Sequence, residues 1–469
     1  MNIIDPIPSH RCVAVFGLGC SGIAAAHLLH RLGKRVIASD CADETRRADF
    51  LSKLPPGTEL VLGRNEIGDA TAIVTSPGLE PSLPIFAEAA QKHVDVLAEL
   101  ELAACATDTP IVAITGTDGK TTTTSLTAHL LAVCGIRNEC GGNIGIPLAQ
   151  VVLQCADDTA RFVVETSAFQ LAFCPRFHPH CLIATNIAED HSEYFKGDWD
   201  AYVSTKRRML ANMTPNDWAI LNASDPEIRT WNTRTTARLC YYAVSRDDLP
   251  ADAVDYAYFD GTDIHIAFGG KAFSFAFERT GFRGRHNAMN AMAAILAACI
   301  EQCAFDNIIA AFDSYQLPHH RIEYICSRDG VDFIDDSKAT NPHAAIAALQ
   351  ALQAPSVLIV GGVDKGLHLG QWLEEMKHDV KHIVVIGALT ERFCREAQEV
   401  IPEIPRHCTD SLEHAVVLGY ELALADACRY VVLSPGCSSY DMFKSYTERG
   451  RVFAESARGI VAKTKNADA

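Results

Sequence analysis

The sequence contains no Cys-x-x-Cys pair, although 17 of its 469 residues are cysteine. Zinc ribbons and dithiol redox centres are built on that spacing, so neither is expected here. We interpret the cysteines as small core side chains of a soluble enzyme in a reducing compartment.

Long hydrophobic runs are also missing. The longest apolar stretch, residues 288–300, is too short and too mixed to span a bilayer. Residues 1–11 lack the basic-then-apolar pattern of a signal peptide. We therefore expect a cytoplasmic protein with no membrane partner.

Basic residues are fewer than acidic ones: the chain has 41 Lys and Arg and 58 Asp and Glu, which gives a net charge of −17. Such a balance does not suit a protein that binds nucleic acid or an anionic membrane surface, so no nucleic acid is expected as a partner. Small anionic substrates remain possible, because a local group of basic side chains and backbone N–H groups can still hold a phosphate.

Hydrophobic residues are abundant, at 48%, and 469 residues suggest about three domains. Apolar strands alternate with helical stretches along the chain, which predicts an α/β fold with mostly parallel sheets. We predict three domains, over residues 1–105, 106–316 and 317–469. The first and third are expected to be Rossmann-like, and short alternating runs over 218–277 predict a small antiparallel sheet added to the mostly parallel sheet of the second.

A glycine-rich turn follows the first predicted strand, as Gly17-x-Gly19-x-x-Gly22, and Asp40 ends the next strand. This spacing matches the dinucleotide fingerprint, in which backbone N–H groups approach a pyrophosphate. A different diphosphate ligand, such as a UDP-sugar, is one alternative to a dinucleotide, and a turn with only a structural role is another.

A stronger signal opens the second domain, where the segment Gly116-Thr117-Asp118-Gly119-Lys120-Thr121-Thr122 joins a buried strand to a helix. This is the arrangement of a phosphate-binding loop, and it predicts an ATPase. Lys120 supplies a charge for the phosphates, and the Thr121 hydroxyl can bind Mg²⁺. The first glycine lies four residues before the lysine instead of six, so the loop is short.

Polar residues follow later strands. Glu165 ends an apolar strand and is well placed to bind Mg²⁺ if that strand lies beside the loop strand. His191 follows another strand and could bind a second metal ion or contact substrate. Lys206, taken alone, reads as a solvated helix lysine.

The third domain has three polar segments after strands, at 335–341, 361–366 and 434–441. Ligands in open α/β domains bind at the carboxyl ends of strands, so these segments predict one binding surface. Arg321, at the predicted domain boundary, could reach the γ-phosphate.

Together these motifs resemble the Mur ligase family. The phosphate loop is similar to that of the family, as are the segments 142–145, 285–290 and 320–323, and the segments 336–341 and 433–443 are similar to those of its D-glutamate-adding members. The resemblance implies an ATP-dependent ligase that joins D-glutamate to UDP-N-acetylmuramoyl-L-alanine through an acyl phosphate, for peptidoglycan precursor synthesis. It also implies a monomer and two Mg²⁺ ions.

The resemblance further assigns roles to individual residues. It implies catalytic roles for Lys120, His191, Lys206 and Arg321. It implies metal ligands at Thr121, Glu165, His191 and Lys206, the last of them carbamylated. It implies ATP contacts from Gly116, Thr117, Asp118, Gly119, Lys120, Thr121, Thr122, Asn287, Asn290, Arg321 and Asp336. It implies substrate contacts from Gly19, Ser21, Asp40, Ser76, Asn143, Ser167, Gln170, His191, Lys338, Thr340, Lys365, Ser439 and Tyr446.

The sequence departs from the family at two places: Asp118 stands where Asn or His is common, and Cys41-Ala42 follow Asp40 where polar and basic groups are common. Three other functions stay open on the residues alone. They are an NAD-dependent oxidoreductase, a non-enzymatic phosphate-loop switch, and a related ligase of another specificity, including a folylpolyglutamate synthase.

Overall fold

The computed structural model describes residues 3–189, 194–282, 284–316, 318–364 and 366–462. The chain forms two compact units. The larger is Met1–Ile187 with Asp198–Tyr315, and the smaller is Ala188–Gly197 with Gln316–Ala469.

The first sheet of the larger unit is parallel throughout. Its elements are β1 (Cys12–Phe16), α1 (Cys20–Arg31), β2 (Arg35–Asp40), α2 (Arg47–Lys53), β3 (Glu59–Leu62), β4 (Ala72–Thr75), α3 (Pro84–Gln91), β5 (Asp95–Ala98) and α4 (Glu99–Cys105). The strand order is β3-β2-β1-β4-β5, the Rossmann-like order expected. All five residues of β1 are buried, as an apolar central strand requires. The order reverses between β1 and β4, so the loops that follow these two strands meet at one edge.

The second sheet of the larger unit is longer. Its elements are β6 (Ile111–Thr115), α5 (Lys120–Val133), β7 (Asn138–Gly142), α6 (Leu148–Gln154), β8 (Arg161–Glu165), α7 (Ala168–Leu171), β9 (Cys181–Ala184), α8 (Trp199–Arg207), β10 (Trp218–Asn222), β11 (Arg238–Ala243), β12 (Tyr256–Phe259), β13 (Asp263–Phe268), β14 (Lys271–Ala276), α9 (Arg285–Ile300) and α10 (Phe305–Ala311). The order is β14-β13-β12-β11-β10-β9-β6-β8-β7.

The antiparallel strands expected over 218–277 are present, but they occupy only part of that range. Strands β10, β11 and β12 run parallel to the main sheet, and antiparallel pairing is confined to β12 with β13 and β13 with β14. They extend the same sheet and do not form a second one. The β13–β14 turn is Gly269-Gly270, with φ of 58° and 75°, which is the two-residue hairpin geometry that glycine favours.

The smaller unit has the third sheet. Its elements are β15 (Glu323–Arg328), β16 (Val331–Asp335), α11 (Pro342–Leu352), β17 (Ser356–Gly361), α12 (Gly370–Asp379), β18 (Val380–Ile386), α13 (Thr390–Val400), β19 (Arg406–Cys408), α14 (Leu412–Ala425), β20 (Tyr430–Leu433) and α15 (Tyr446–Ala462). The order is β15-β16-β20-β17-β18-β19, parallel except for the hairpin of β15 and β16. Apolar clusters cover both faces of this sheet, as a doubly wound sheet requires.

No helix among the described residues is long and apolar enough to cross a membrane.

Candidate active site

The phosphate loop lies between β6 and α5, as the sequence predicts. Gly119 has φ of +77°, a conformation that other residues rarely adopt, and a Cβ atom there would lie 2.4 Å from Oδ1 of Asn290. Helix α5 begins at Lys120, and no side chain in the described part of the chain caps it. Its first N–H groups therefore present a site that favours an anion.

Two residues after β9 hold the loop in place. The Oδ1 atom of Asn186 accepts hydrogen bonds from the N–H groups of Thr117 and Asp118, at 3.1 and 2.8 Å. The Thr185 hydroxyl donates to the Asp118 carbonyl at 2.6 Å. These bonds assign Asp118 a backbone role in the loop. Only His191 of this segment was predicted as a site residue, although Thr185 and Asn186 follow β9, which lies directly beside β6.

Two lysine ammonium groups converge on the loop. Nζ of Lys120 donates to the carbonyls of Gly116 and Thr117, at 3.0 and 2.6 Å. Nζ of Lys206 also donates to Gly116 and lies 4.6 Å from the centre of the Tyr202 ring, whose hydroxyl is 2.9 Å from Oγ1 of Thr117. Lys206 is 2% exposed, so its interpretation from spacing as a solvated helix lysine is wrong. Tyr202 was not predicted.

The carboxylate of Glu165 lies beside the loop strand, because β8 pairs with β6 and places Glu165 opposite Ile114. Its Oε1 atom accepts a hydrogen bond of 2.7 Å from Nδ2 of Asn143. Its Oε2 atom is buried and has no hydrogen-bond partner among the described residues. A buried carboxylate oxygen left in this way is costly unless a cation or water meets it. A carboxylate oxygen in this environment fits a ligand of Mg²⁺, and Thr121, the other predicted ligand on this side, is buried at the start of α5.

Helix α9 brings both predicted asparagines to the loop. Oδ1 of Asn290 accepts a hydrogen bond of 3.2 Å from the Thr123 hydroxyl, and its Nδ2 donates to Asn287 at 3.4 Å. Both asparagines are less than a tenth exposed. Asn290 thus contacts both α5 and Gly119, and Asn287 lies beside it; their contacts with a nucleotide stay a prediction.

The first sheet gathers its predicted residues at one edge. The Asp40 carboxylate accepts from the N–H groups of Leu18 and Ala42, at 2.6 and 2.8 Å, and the Ser76 hydroxyl donates to the Gly17 carbonyl at 2.7 Å. Asp40 and Ser76 thus support the glycine loop.

The tip of that loop is open. A Cβ at Gly19 would have no neighbour within 4 Å, and Ser21 beside it is half-buried. Helix α1 starts there without a side-chain cap from the described residues, so its N-terminus can approach a diphosphate.

Ser167 and Gln170 were predicted to contact substrate. The structure places them in a reciprocal capping box at the start of α7, with the Ser167 N–H donating to Oε1 of Gln170 at 3.1 Å and the Gln170 N–H donating to Oγ of Ser167 at 3.3 Å. Both are buried. These bonds fix the chain that follows Glu165, and the predicted substrate contacts of the two residues stay a prediction.

In the smaller unit, Asp336 is fully enclosed. Its carboxylate accepts from the Ser434 hydroxyl at 2.8 Å and from the Ile322 N–H at 3.3 Å, and burial raises the pKa of Asp336 to about 7. It therefore joins the loop that contains Arg321 to the segment that follows β20. The Nε atom of Arg321 is buried and has no hydrogen-bond partner in the described ranges.

The residues predicted for the amino acid lie at neighbouring strand ends of this unit. Lys338 and Thr340 follow β16, and Ser439 follows β20, its parallel neighbour. Nζ of Lys338 lies 5.1 Å from the centre of the Tyr446 ring. The backbone of Tyr446 accepts a hydrogen bond of 2.8 Å from the Ser337 hydroxyl, so α15 starts beside these strand ends.

Two predicted residues, His191 and Lys365, lie outside the described residues.

Family profiles and curated relatives match this chain to one family of ligases, and a solved structure of that family shares its fold. Three family profiles match the chain: "Mur ligase MurD-like, N-terminal domain" at residues 11–98, "Mur ligase middle domain" at 114–298, and "Mur ligase, glutamate ligase domain" at 320–437. The UDP-N-acetylmuramoylalanine–D-glutamate ligase of Geotalea uraniireducens is 34% identical over 453 residues, covering 96% of this chain and 97% of that protein. The corresponding ligase of Syntrophus aciditrophicus is 35% identical and covers 95% and 97%. The crystal structure of MurF from Acinetobacter baumannii has the same fold, with a TM-score of 0.63, 16% identity, and coverage of 95% and 93%.

Proposed function

This chain belongs to the Mur ligase family, and we propose that it joins D-glutamate to UDP-N-acetylmuramoyl-L-alanine at the expense of ATP, in the cytoplasm, as a step of peptidoglycan precursor synthesis. The observation that carries the proposal is the buried Glu165 carboxylate beside a phosphate loop, with one oxygen free of hydrogen bonds from the described residues. That combination suits a cation and a triphosphate held together, which an ATP-dependent ligase requires.

The triphosphate would lie against the phosphate loop and the start of α5. Lys120 would exchange its bonds with the carbonyls of Gly116 and Thr117 for bonds to phosphate oxygens, which needs only rotation of its own side chain. Asn186 keeps the loop in shape during that exchange, because its bonds are to the backbone.

The reaction needs an activated carboxyl group, because a carboxylate and an amine do not condense in water. The substrate carboxylate attacks the γ-phosphorus, the bond to the β-phosphate oxygen breaks, and ADP leaves. The amine of glutamate then attacks the acyl carbon, loses a proton, and displaces phosphate. Lys120 would offset the repulsion between the carboxylate and the triphosphate, and the role of Arg321 toward the γ-phosphate stays a prediction.

Two Mg²⁺ ions belong to the proposal, with Thr121, Glu165, His191 and Lys206 as the residues that would hold them. When bound, such ions neutralise phosphate charge. For Lys206 to serve, its amine must add CO₂ and release a proton to become a carbamate. The buried position of Lys206 against Gly116 supports a role inside the site.

Under this proposal, each substrate binds to particular domains among the three predicted ones. Residues 1–105 bind the uridine diphosphate end through Gly19, Ser21, Asp40 and Ser76, with Asn143, Ser167 and Gln170 of residues 106–316 toward the muramoyl end. Residues 317–469 bind D-glutamate through Lys338, Thr340, Lys365, Ser439 and Tyr446. The monomeric state also remains a prediction, which light scattering would test.

The test is phosphate release by the purified full-length protein with ATP, Mg²⁺ and UDP-N-acetylmuramoyl-L-alanine, screened over D- and L-amino acids. We expect D-glutamate to stimulate release and its L-enantiomer to give far less. Release that responds to no amino acid would refute the ligase proposal, and stimulation by a different amino acid would refute only the D-glutamate assignment.

A further inference from the structure

A buried arginine in the smaller unit has no role in the function proposed so far. Arg449 lies in the first turn of α15 and is 1% exposed. Its Nε donates to the Ser337 hydroxyl at 3.0 Å, and one terminal nitrogen donates to the carbonyls of Ser337 and Cys437, at 2.8 and 3.0 Å. The other terminal nitrogen is 3.5 Å from the Gly361 carbonyl.

These partners share a position in the fold. Ser337 follows β16, Gly361 ends β17 and Cys437 follows β20, which lies between the other two strands. One guanidinium group therefore bonds to the carboxyl ends of three adjacent parallel strands. A planar fork of five donors can span them, whereas an ammonium group on a single stem cannot reach all of them at once.

The charge of Arg449 is also unusual. All its bonds go to neutral oxygens, and no carboxylate forms an ion pair with it among the described residues. Burial lowers the pKa of Arg449 to about 10, while the negative charges of Asp441, Asp335 and Asp336 oppose that shift, so the guanidinium remains protonated at neutral pH. A buried guanidinium is costly to desolvate, and its hydrogen bonds to the strand ends offset part of that cost.

The strand ends that Arg449 joins are the ones assigned to the amino acid. Lys338 comes directly after Ser337, and Ser439 follows Cys437 by two positions. We propose that Arg449 is a positioning residue that holds the ends of β16, β17 and β20 together as one binding surface for a dicarboxylic amino acid. The assignment of that ligand rests on the function proposed above, whereas the joining of the three strand ends does not.

The close packing of the next residue supports a fixed position for the start of α15. A Cβ atom at Gly450 would lie 2.1 Å from Nδ1 of His320 and 2.7 Å from Oδ2 of Asp335. These two side chains are themselves hydrogen-bonded at 2.7 Å. The helix therefore approaches the sheet closely at this point, and Arg449 has little freedom to move.

The experiment compares Arg449→Lys and Arg449→Met with Arg451→Met. Arg451 is a matched control, because it lies on the same helix, is exposed, and bonds to Glu455 at 2.7 Å. We expect both Arg449 variants to raise KM for D-glutamate by about 10-fold to 100-fold, the loss typical of hydrogen bonds from a charged group. In the same variants, KM for UDP-N-acetylmuramoyl-L-alanine should change less than about 2-fold. In the control variant, KM for D-glutamate should also change less than about 2-fold.

A merely structural role gives a different result, because a smaller folded fraction lowers the maximal rate and leaves every KM unchanged. That outcome would overturn the positioning role. Hydrogen exchange read by mass spectrometry gives a second readout that needs no turnover. In Arg449→Lys, exchange should rise in peptides that contain residues 336–339, 361–363 and 435–439, and it should not rise in Arg451→Met. Unchanged exchange there would refute the joining of the strand ends even if the wild-type protein proved not to be a D-glutamate ligase.

Discussion

Gly119→Ala is the substitution whose effect the structure defines most closely. An alanine there must adopt φ near +77°, and its Cβ must lie 2.4 Å from Oδ1 of Asn290, so the asparagine has to move. The left-handed conformation costs a non-glycine residue about 1–2 kcal/mol. Displacing Asn290 breaks its hydrogen bond with Thr123, which adds about 1 kcal/mol. The expected loss of stability is about 2–3 kcal/mol.

Gly281→Ala is the matched control, because Gly281 belongs to the same unit, has φ of +70°, and a Cβ there would have no neighbour within 4 Å. It should cost only the conformational part, about 1–2 kcal/mol. Asn290→Ala should lower the free energy of unfolding by about 1 kcal/mol less in the Gly119→Ala protein than in the wild type, because the bond between Asn290 and Thr123 is already lost there.

The free energy of unfolding is measured in urea, with hydrogen exchange in peptides from α5 as the probe. The affinity for ATP is measured by calorimetric titration. We expect ATP affinity to fall at least about 10-fold in Gly119→Ala, because the displaced Asn290 is one of the residues predicted to contact ATP beside the loop. The control should bind ATP as the wild type does. If Gly119→Ala costs no more than Gly281→Ala and binds ATP normally, the packing of Asn290 on the loop is not what the structure indicates.

Three further predictions concern charge. Lys120→Ala should abolish phosphate release while leaving unfolding unchanged, with Lys92→Ala, an exposed lysine paired with Glu88, as the control; near-normal activity would contradict the ATP site. Lys206→Ala should lose activity and regain part of it with short carboxylic acids, and a failure of rescue would count against the carbamate. Burial raises the pKa of Glu99 to about 7, so the folded state binds more protons than the unfolded one above pH 4.5, and stability falls as pH rises toward 7. In Glu99→Gln, the free energy of unfolding should fall by about 3 kcal/mol less between pH 4.5 and 8 than in the wild type, as measured by denaturation of the larger unit. An unchanged dependence of that free energy on pH would show that Glu99 ionises freely.

Features contained in one stretch of chain could be predicted from the sequence. The phosphate loop is one, because strand β6, the loop and helix α5 are contiguous, and the helix begins within the predicted motif, at Lys120. The parallel sheets are another, because alternating apolar strands and helices leave little choice of connection. The edge strands β15 and β19 were not predicted, since they are short or half-exposed and lack a continuous apolar pattern.

The motif resemblance named the candidate residues, and the tertiary structure shows the hydrogen-bond partners of several of them. Ser167 and Gln170 bond to each other, and Asp40 supports a backbone turn, although each was predicted from its position in a motif. The structure also shows that Asn186, which was not among the predicted site residues, holds the phosphate loop. Hydrogen-bond partners of this kind depend on which strands are neighbours in the folded sheet, and spacing along the chain does not specify that.

The sequence by itself therefore determined the α/β class, the phosphate loop and the family, because these depend on local patterns of apolar residues, glycines and charges. Only the tertiary structure placed Glu165 beside the loop, packed Asn290 onto Gly119, and brought Arg449 to three strand ends. Each of these contacts joins residues far apart in the chain, so it exists only once the order of the strands and the packing of the helices are set.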